Sequence, residues 1–189
     1  FNLRRQLMQT LVSFKEDLCR EDFNAIPFIN ADGYHSKTIA YSIWHIFRIE
    51  DIVAHTVITE DEQVFFTGNY QVRINSPIIT TGNELVKQQI ADFSKQLNLE
   101  ELYSYIFEVR ESTEKILERF SYDELKWKIP DERKGYLKSL NVVNCDEKAI
   151  WLIDYWCSKD IRGLIQMPFS RHWIMHTEAC LRIKNKMHS

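Results

Sequence analysis

Apolar residues recur at intervals of three and four positions in several long stretches of the chain, and this period constrains the fold more than any other feature. Leu3, Leu7, Leu11, Phe14 and Leu18 show it near the start. Because an α-helix has 3.6 residues per turn, such residues form one apolar stripe along a helix. Only five glycines and four prolines interrupt the 189 residues. The pattern predicts an all-α fold.

The same period predicts where individual helices lie. The predicted helices cover residues 3–19, 36–58, 81–97, 98–120, 144–166 and 168–186. At Thr81, Asn98 and Asn144 a small polar residue precedes glutamate by three positions. This pattern is typical of a helix start, because both side chains accept or complement the free N–H groups of the first turn. The same pattern at Ser121 predicts a brief turn.

Two segments lack the helical period. Residues 21–37 are predicted to form a connection, and residues 59–80, which contain Gly68 and Pro77, a long loop. Long helices that each carry one apolar stripe bury it best against one another. The sequence therefore predicts a single domain over residues 1–189, folded as a four-helix bundle with one or two extra short helices.

The charge balance argues against one class of partner. The chain has 24 basic and 27 acidic residues, for a net charge of −3. Proteins that bind nucleic acids generally carry a basic excess, so no nucleic-acid partner is predicted. The hydrophobic fraction of 44% also excludes an intrinsically disordered chain.

The cysteines and the hydropathy pattern bear on the location of the protein. Cys19, Cys145, Cys157 and Cys180 form no CxxC pair, so neither a disulfide framework nor a zinc ribbon is predicted. We expect buried free thiols in a reducing compartment. No apolar run reaches the roughly 18 residues that a membrane-spanning helix needs. The expected location is the cytoplasm, with no membrane partner.

Two histidines stand four residues apart near the end of the chain. His172 and His176 would lie one turn apart on the last predicted helix, with about 5–6 Å between their Cβ atoms, close enough to share a metal ion. Trp173 follows the first histidine where a zinc protease has its glutamate base, so the HExxH motif is absent. The alternative is two ordinary histidines on an amphipathic helix.

A third histidine lies in the most apolar stretch of the chain. His45 is flanked by Ile43, Trp44, Ile46 and Phe47, where an unpaired imidazole is costly to bury. A hydrogen bond to a neighbour would satisfy it, and a metal ion shared with the pair on the last helix is the second explanation. Three neutral imidazoles leave a coordination position open on a divalent ion, as in catalytic metal sites.

The other histidines are predicted to be solvated. His55 follows His45 by ten residues, which places it about 80° away around the helix, off the ligand face. We interpret His55, His35 and His188 as exposed side chains.

Three further residues each have two interpretations. Asp154 could orient a metal-bound imidazole or mark the solvent side of its helix. Arg48 could meet an anionic substrate or pair with Glu50, Asp51 or a neighbouring helix. Cys180 could be a fourth ligand or a small residue that lets helices approach closely.

Two segments resemble a known family. Residues 42–51 (SIWHIFRIED) resemble the second helix of the DinB/YfiT-like family of four-helix-bundle metalloenzymes, and residues 167–176 (MPFSRHWIMH) are similar to its last helix. In that family a histidine of the second helix and a His-x-x-x-His pair on the last helix bind a divalent metal. The resemblance implies that His45, His172 and His176 are the ligands.

The resemblance also implies a fold and a range of activities. The family fold is an up-down-down-up bundle, often assembled as a homodimer. Some members are S-transferases that use low-molecular-weight thiols, and others resemble metal-dependent hydrolases or isomerases. We therefore expect a divalent ion, with zinc or nickel best suited to imidazole ligands, a thiol cosubstrate and a small-molecule substrate. No proton-transfer residue is assigned. The alternative is a non-catalytic helical bundle that binds a ligand or a protein partner.

Overall fold

The computed structural model describes residues 2–188, and within this range it is helical with no β-strand. The α-helices are α1 (Asn2–Asp17), α2 (Arg20–Asn24), α3 (Ile39–Asp51), α4 (Val64–Thr67), α5 (Tyr70–Ile74), α6 (Gln88–Gln96), α7 (Leu99–Leu117), α8 (Arg133–Ser139), α9 (Glu147–Cys157), α10 (Ile161–Gln166) and α11 (His172–Met187). Shorter 3₁₀ turns lie at Gly33–His35 and Glu124–Lys126, and π-helical segments at Ile52–Thr59 and Met167–Arg171. The predicted all-α class is confirmed.

Helix α3 and its π-helical continuation form the centre of the molecule. Every residue from 39 to 57 is buried. The first half of this long helix packs in an apolar cluster with α1, α6, α7 and α11, and the second half packs with α8, α9 and Met167–Arg171. A helix that is buried on all sides must pair its polar side chains inside the protein. These side chains determine how the site is built.

The prediction of a long loop at residues 59–80 is wrong, because α4 and α5 lie within it. The Asp51 carboxylate accepts hydrogen bonds from the N–H groups of Val64 at 2.9 Å and Phe65 at 2.8 Å. A residue of α3 therefore caps α4. Because the capping side chain lies outside residues 59–80, the sequence of that segment contains no capping signal for the helix. The predicted one or two extra short helices are also too few.

The predicted helix at residues 144–166 is wrong as a single element, since α9 and α10 are separate. Asp160 accepts the N–H of Gly163 at 2.7 Å and so starts a new helix. The N–H of Ile161 donates to the carbonyl of Trp127 at 3.1 Å. The interruption thus comes from pairing with a distant segment. Asp146, two residues beyond the predicted Asn144, caps α9.

Two of the other helix starts can be compared directly. Asn98 caps α7 as predicted, because its side-chain oxygen accepts the N–H groups of Glu100 and Glu101. The predicted start at Thr81 is wrong, since α6 begins only at Gln88. At Ser121 the predicted turn is confirmed by the 3₁₀ turn at Glu124–Lys126 that follows it.

The cysteines are only partly as predicted. Cys157 and Cys180 are buried free thiols, whereas Cys19 and Cys145 are exposed. None of the helices between residues 2 and 188 has both the length and the apolar character to cross a membrane.

Candidate metal centre

Three imidazoles from two helices meet inside the protein. His45 lies on α3, and His172 and His176 lie one turn apart on α11. Their ring centres are 5.0, 4.9 and 4.6 Å apart, and one ring nitrogen of each lies within 4.8 Å of those of the other two. All three histidines are buried, with exposed fractions of 4% for His45, 7% for His172 and 2% for His176. The structure brings together the three residues that the sequence singles out, close enough to bind a metal ion.

A buried ion pair sets the position of α11 against α3. Glu50 receives two hydrogen bonds from the Arg4 guanidinium, at 2.7 and 2.8 Å, and a third from the Trp173 indole N–H at 2.8 Å. Arg4 also donates to the carbonyl of Phe169 at 3.0 Å. Because Trp173 is the neighbour of His172, Glu50 fixes the register that places the pair on α11 beside α3.

Sequence reasoning missed this role of Glu50. It treated the residue only as a partner for Arg48, although a carboxylate within a continuous apolar helix was itself a signal. Buried charges are nearly always paired, so a distant cation had to exist. Nothing local could have identified Arg4, which is 46 residues away.

The segment between α5 and α6 orients the His45 ring. The Nδ1 of His45 donates a hydrogen bond to the carbonyl of Thr81, which lies in this segment, at 2.6 Å. The Nε2 lone pair of His45 is therefore free to act as a ligand. The next residue, Gly82, has φ of +77°, and a Cβ there would lie 2.8 Å from the Trp44 ring. Only glycine allows this close approach without strain. Tyr41 holds the same segment, since its hydroxyl donates to the Gly82 carbonyl at 2.9 Å.

The three imidazoles fit a divalent metal ion chemically. The Nδ1 atoms of His172 and His176 are buried and have no hydrogen-bond partner. Burial lowers the pKa of His45 to about 4, and burial, followed by the charge of neighbouring imidazoles, lowers the pKa of the other two well below the usual range. All three are therefore neutral at pH 7 with lone pairs available, the state in which imidazole binds metals.

A cavity of about 440 Å³ opens over the histidine cluster, a size suited to a small molecule. Besides the three histidines, it is lined by Gly33, Tyr34, Lys37, Tyr41, Ile49, Asn83, Trp151, Leu152, Tyr155, Trp156, Met167 and Pro168. Most of these side chains are aromatic or aliphatic. No carboxylate from residues 2–188 is among them.

For Asp154 and Arg48 the structure supports the structural interpretation, and the Arg48 guanidinium lies 3.6 Å from the carboxylate of Asp51, one of its predicted partners. Asp154 lies on the solvent side of α9 and pairs with Lys134 at 2.8 Å. The buried Arg48 guanidinium donates to the Ile79 carbonyl at 3.0 and 2.7 Å and so holds the segment that carries Thr81. Cys180 lies outside the histidine cluster, and burial raises the pKa of its thiol to about 12.

The prediction that His55 is solvated is wrong, because it is only 6% exposed. Its Nδ1 lies 2.6 Å from Asp61 Oδ1 and its Nε2 lies 3.0 Å from Ser112 Oγ. This is the order of a serine hydrolase triad, but Ser112 lies within α7, whose backbone N–H groups are used by the helix and cannot form an oxyanion hole. We therefore interpret the hydrogen bonds that link Asp61, His55 and Ser112 as structural. His188 is exposed as predicted, and His35 is half-buried.

The buried imidazoles predict a pH-dependent stability for the metal-free protein. An unfolded chain binds protons on these histidines near pH 6.5, whereas the folded protein, with lowered pKa values, does not. The contribution of these imidazoles to the free energy of unfolding should be fully present above about pH 6.5. It should fall as the pH decreases towards 4, by up to about 1.4 kcal/mol per pH unit for each imidazole. Urea unfolding at pH 7.5, 6 and 5 measures this slope.

A matched pair of variants tests the origin of that slope. His172→Gln removes one buried imidazole and should flatten the decrease, while His188→Gln, which removes an exposed imidazole 3.6 Å from the Asp22 carboxylate, should alter it far less. An equal slope in the wild type and in His172→Gln would contradict the assignment.

No protein-family model matches the chain, and no curated protein shows detectable sequence similarity to it. The fold and the site define it as an all-helical protein with a buried cluster of three histidines close enough to bind a metal ion.

Proposed function

We propose that the protein is a divalent-metal-binding four-helix bundle of the DinB/YfiT-like kind, which acts as a metal-dependent enzyme on a small molecule. One observation carries the proposal: three neutral, buried imidazoles converge at one side of a cavity large enough for a substrate. Burying three such groups, two of which have an Nδ1 without a hydrogen-bond partner, costs free energy that a bound ion would offset.

Four long helices support the proposal of a helical bundle. They are α1, α3 with its π-helical continuation, α7 and α11. Helix α3 packs against α7 and α11, and α1 packs against α11. Helices α8, α9 and α10 are additions around the second half of the central helix. The three histidines that we propose as ligands lie on the second and last of the four long helices, as in the family that residues 42–51 and 167–176 resemble.

His45, His172 and His176 would hold the ion, and zinc or nickel is the metal best suited to them. When bound, such an ion supplies a Lewis acid that lowers the pKa of a water or thiol. The chain itself provides the Thr81 carbonyl that orients His45 and the apolar wall that excludes bulk water.

Thiol transfer is the reaction that this cavity favours. No carboxylate among the described residues lines it, so the cavity offers no carboxylate base for activating water next to the histidines. A thiol needs less help from a base, because its ordinary pKa of about 8.5 lies far closer to neutrality than that of water. We therefore propose a low-molecular-weight thiol as cosubstrate and an electrophilic small molecule as its acceptor, with hydrolysis as the second candidate.

Zinc or nickel should raise the melting temperature of the protein. With free metal at about 100 times its Kd, the folded state gains about 2.7 kcal/mol, which corresponds to a shift of roughly 5–10 °C for a chain of this size. Differential scanning calorimetry with added metal, and again after excess EDTA, measures this shift. An unchanged melting temperature at saturating metal would contradict metal binding.

Catalysis is tested separately with the same preparations. Addition of a small thiol to an electrophilic alkene, and hydrolysis of an activated ester, are followed with metal-loaded and EDTA-treated protein. A metal-dependent rate for the thiol reaction supports the transferase proposal. Metal binding without any metal-dependent rate would favour a non-catalytic, ligand-binding bundle.

A further inference from the structure

A lysine ammonium lies at the wall of the cavity. Lys37 is half-buried, and its Nζ lies 5.4 Å from the centre of the Tyr41 ring. No carboxylate among residues 2–188 lies within ion-pair distance of it. Most lysines either extend into water or pair with an acid, so this arrangement is uncommon.

The surroundings of Lys37 add to its positive potential. The next residue, Thr38, caps the N-terminus of α3 by accepting the N–H of Tyr41 at 3.0 Å, and this end of a 13-residue helix carries the positive end of the helix dipole. Lys37 lines the same cavity as His45 and His176. At this end of the cavity the protein thus has positive groups, and no carboxylate of residues 2–188 forms an ion pair with Lys37.

Most of the remaining wall of the cavity is apolar, with Asn83 as a polar exception. Trp151, Tyr155 and Trp156 from α9 form one side, and Met167 and Pro168 lie next to them. Trp151 is 48% exposed, so its ring is accessible to a ligand in the cavity. A ligand that fits this cavity therefore has a hydrophobic body and one anionic group.

We propose that the cavity binds a small aromatic or aliphatic carboxylate, with its carboxylate on the Lys37 ammonium and its apolar body against Trp151 and Trp156. This inference rests on the proposed function for the reacting end of the ligand, which would lie beside the three imidazoles. Lys37 is then the residue that selects acids over neutral analogues, because a charge-assisted hydrogen bond in a partly desolvated site discriminates strongly.

Two probes of equal shape test the selection. Phenylacetate carries the carboxylate and phenylacetamide replaces it with a neutral amide, and quenching of tryptophan fluorescence or calorimetry reports their binding. We expect the zinc-loaded protein to bind phenylacetate about ten- to 100-fold more tightly than phenylacetamide. Lys37→Met should abolish this preference, and Lys37→Arg should retain most of it. Lys126→Met, which removes an exposed lysine, is the control.

Measurements in zinc-loaded and EDTA-treated protein separate this inference from the proposed function. Equal affinities for the two probes in the wild type, or an undiminished preference in Lys37→Met, would overturn it. A preference that persists in Lys37→Met but disappears on removal of zinc would also overturn it, because the ion and not the lysine would then hold the carboxylate. If the protein binds no zinc, the proposed function fails, and the metal-free comparison of wild type with Lys37→Met still decides the role of the lysine.

Discussion

Replacement of His176 by alanine is expected to lower the affinity of the protein for zinc by more than about 100-fold, since even the partners that orient metal ligands contribute 10–100-fold. The same loss is expected for His45→Ala and His172→Ala. Each substitution leaves two imidazoles, and two donors hold a divalent ion far more weakly than three. The zinc-induced rise in melting temperature should disappear in all three variants.

Competition against a chromophoric chelator measures the affinity, and mass spectrometry measures the metal content of the purified proteins. His188→Ala is the matched control, because it removes an exposed imidazole at the end of the same helix. Metal retained undiminished by both His45→Ala and His176→Ala would remove the proposal. The corresponding glutamine variants preserve side-chain volume and show whether a loss reflects the missing ligand rather than a cavity in the core.

Replacement of Glu50 by glutamine is expected to reduce the free energy of unfolding by about 3–5 kcal/mol, the usual cost of leaving a buried charge without its partner. Glutamine retains an acceptor for the Trp173 indole, but it removes the buried counter-ion of the Arg4 guanidinium and leaves only the more distant Glu114 carboxylate, 3.9 Å from Arg4 Nε, among the described residues. Since Glu50 also fixes the register of α11, the affinity for zinc should fall as well.

Chemical denaturation of metal-free protein gives the free energy. Glu178→Gln on α11 is the control: it breaks an exposed ion pair with Arg182 and should cost less than about 1 kcal/mol. The double variant Arg4→Met/Glu50→Gln should be less destabilised than the sum of the two single variants, because removing both partners leaves no unpaired charge. An equal cost for Glu50→Gln and Glu178→Gln would mean that the buried pair contributes no more than the exposed one.

The local pattern of the chain predicted those helices that are stabilised by their own residues. The period of three and four places α1 and α11 within a few residues of their positions, and Asn98 caps α7 with its own side chain. Prediction from the local pattern failed for those helices whose stabilising partner is distant in the sequence. The Asp51 carboxylate caps α4, and the Trp127 carbonyl binds the N–H of Ile161 at the start of α10. Such a partner leaves no sign in a window of one or two turns.

The candidate site shows the same division. His45, His172 and His176 were recognisable because residue type, spacing and an apolar setting together mark costly imidazoles. The partners that position them, Thr81 and Glu50, were not recognised. His55 was predicted on the solvated side of its helix, although other elements of the fold cover it.

By itself, the sequence determined the all-helical class and the three histidines that belong together, because amphipathic period and residue chemistry are properties of short segments. The tertiary structure decided the buried ion pair that sets α11 against α3, the carbonyl that orients His45, and the cavity at whose wall Lys37 lies without an ion pair to any carboxylate of residues 2–188. These features join residues between 36 and 165 positions apart, from Thr81 with His45 to Arg4 with Phe169. Hydrogen bonds and electrostatic forces depend on distance in space, and only the folded chain sets that distance.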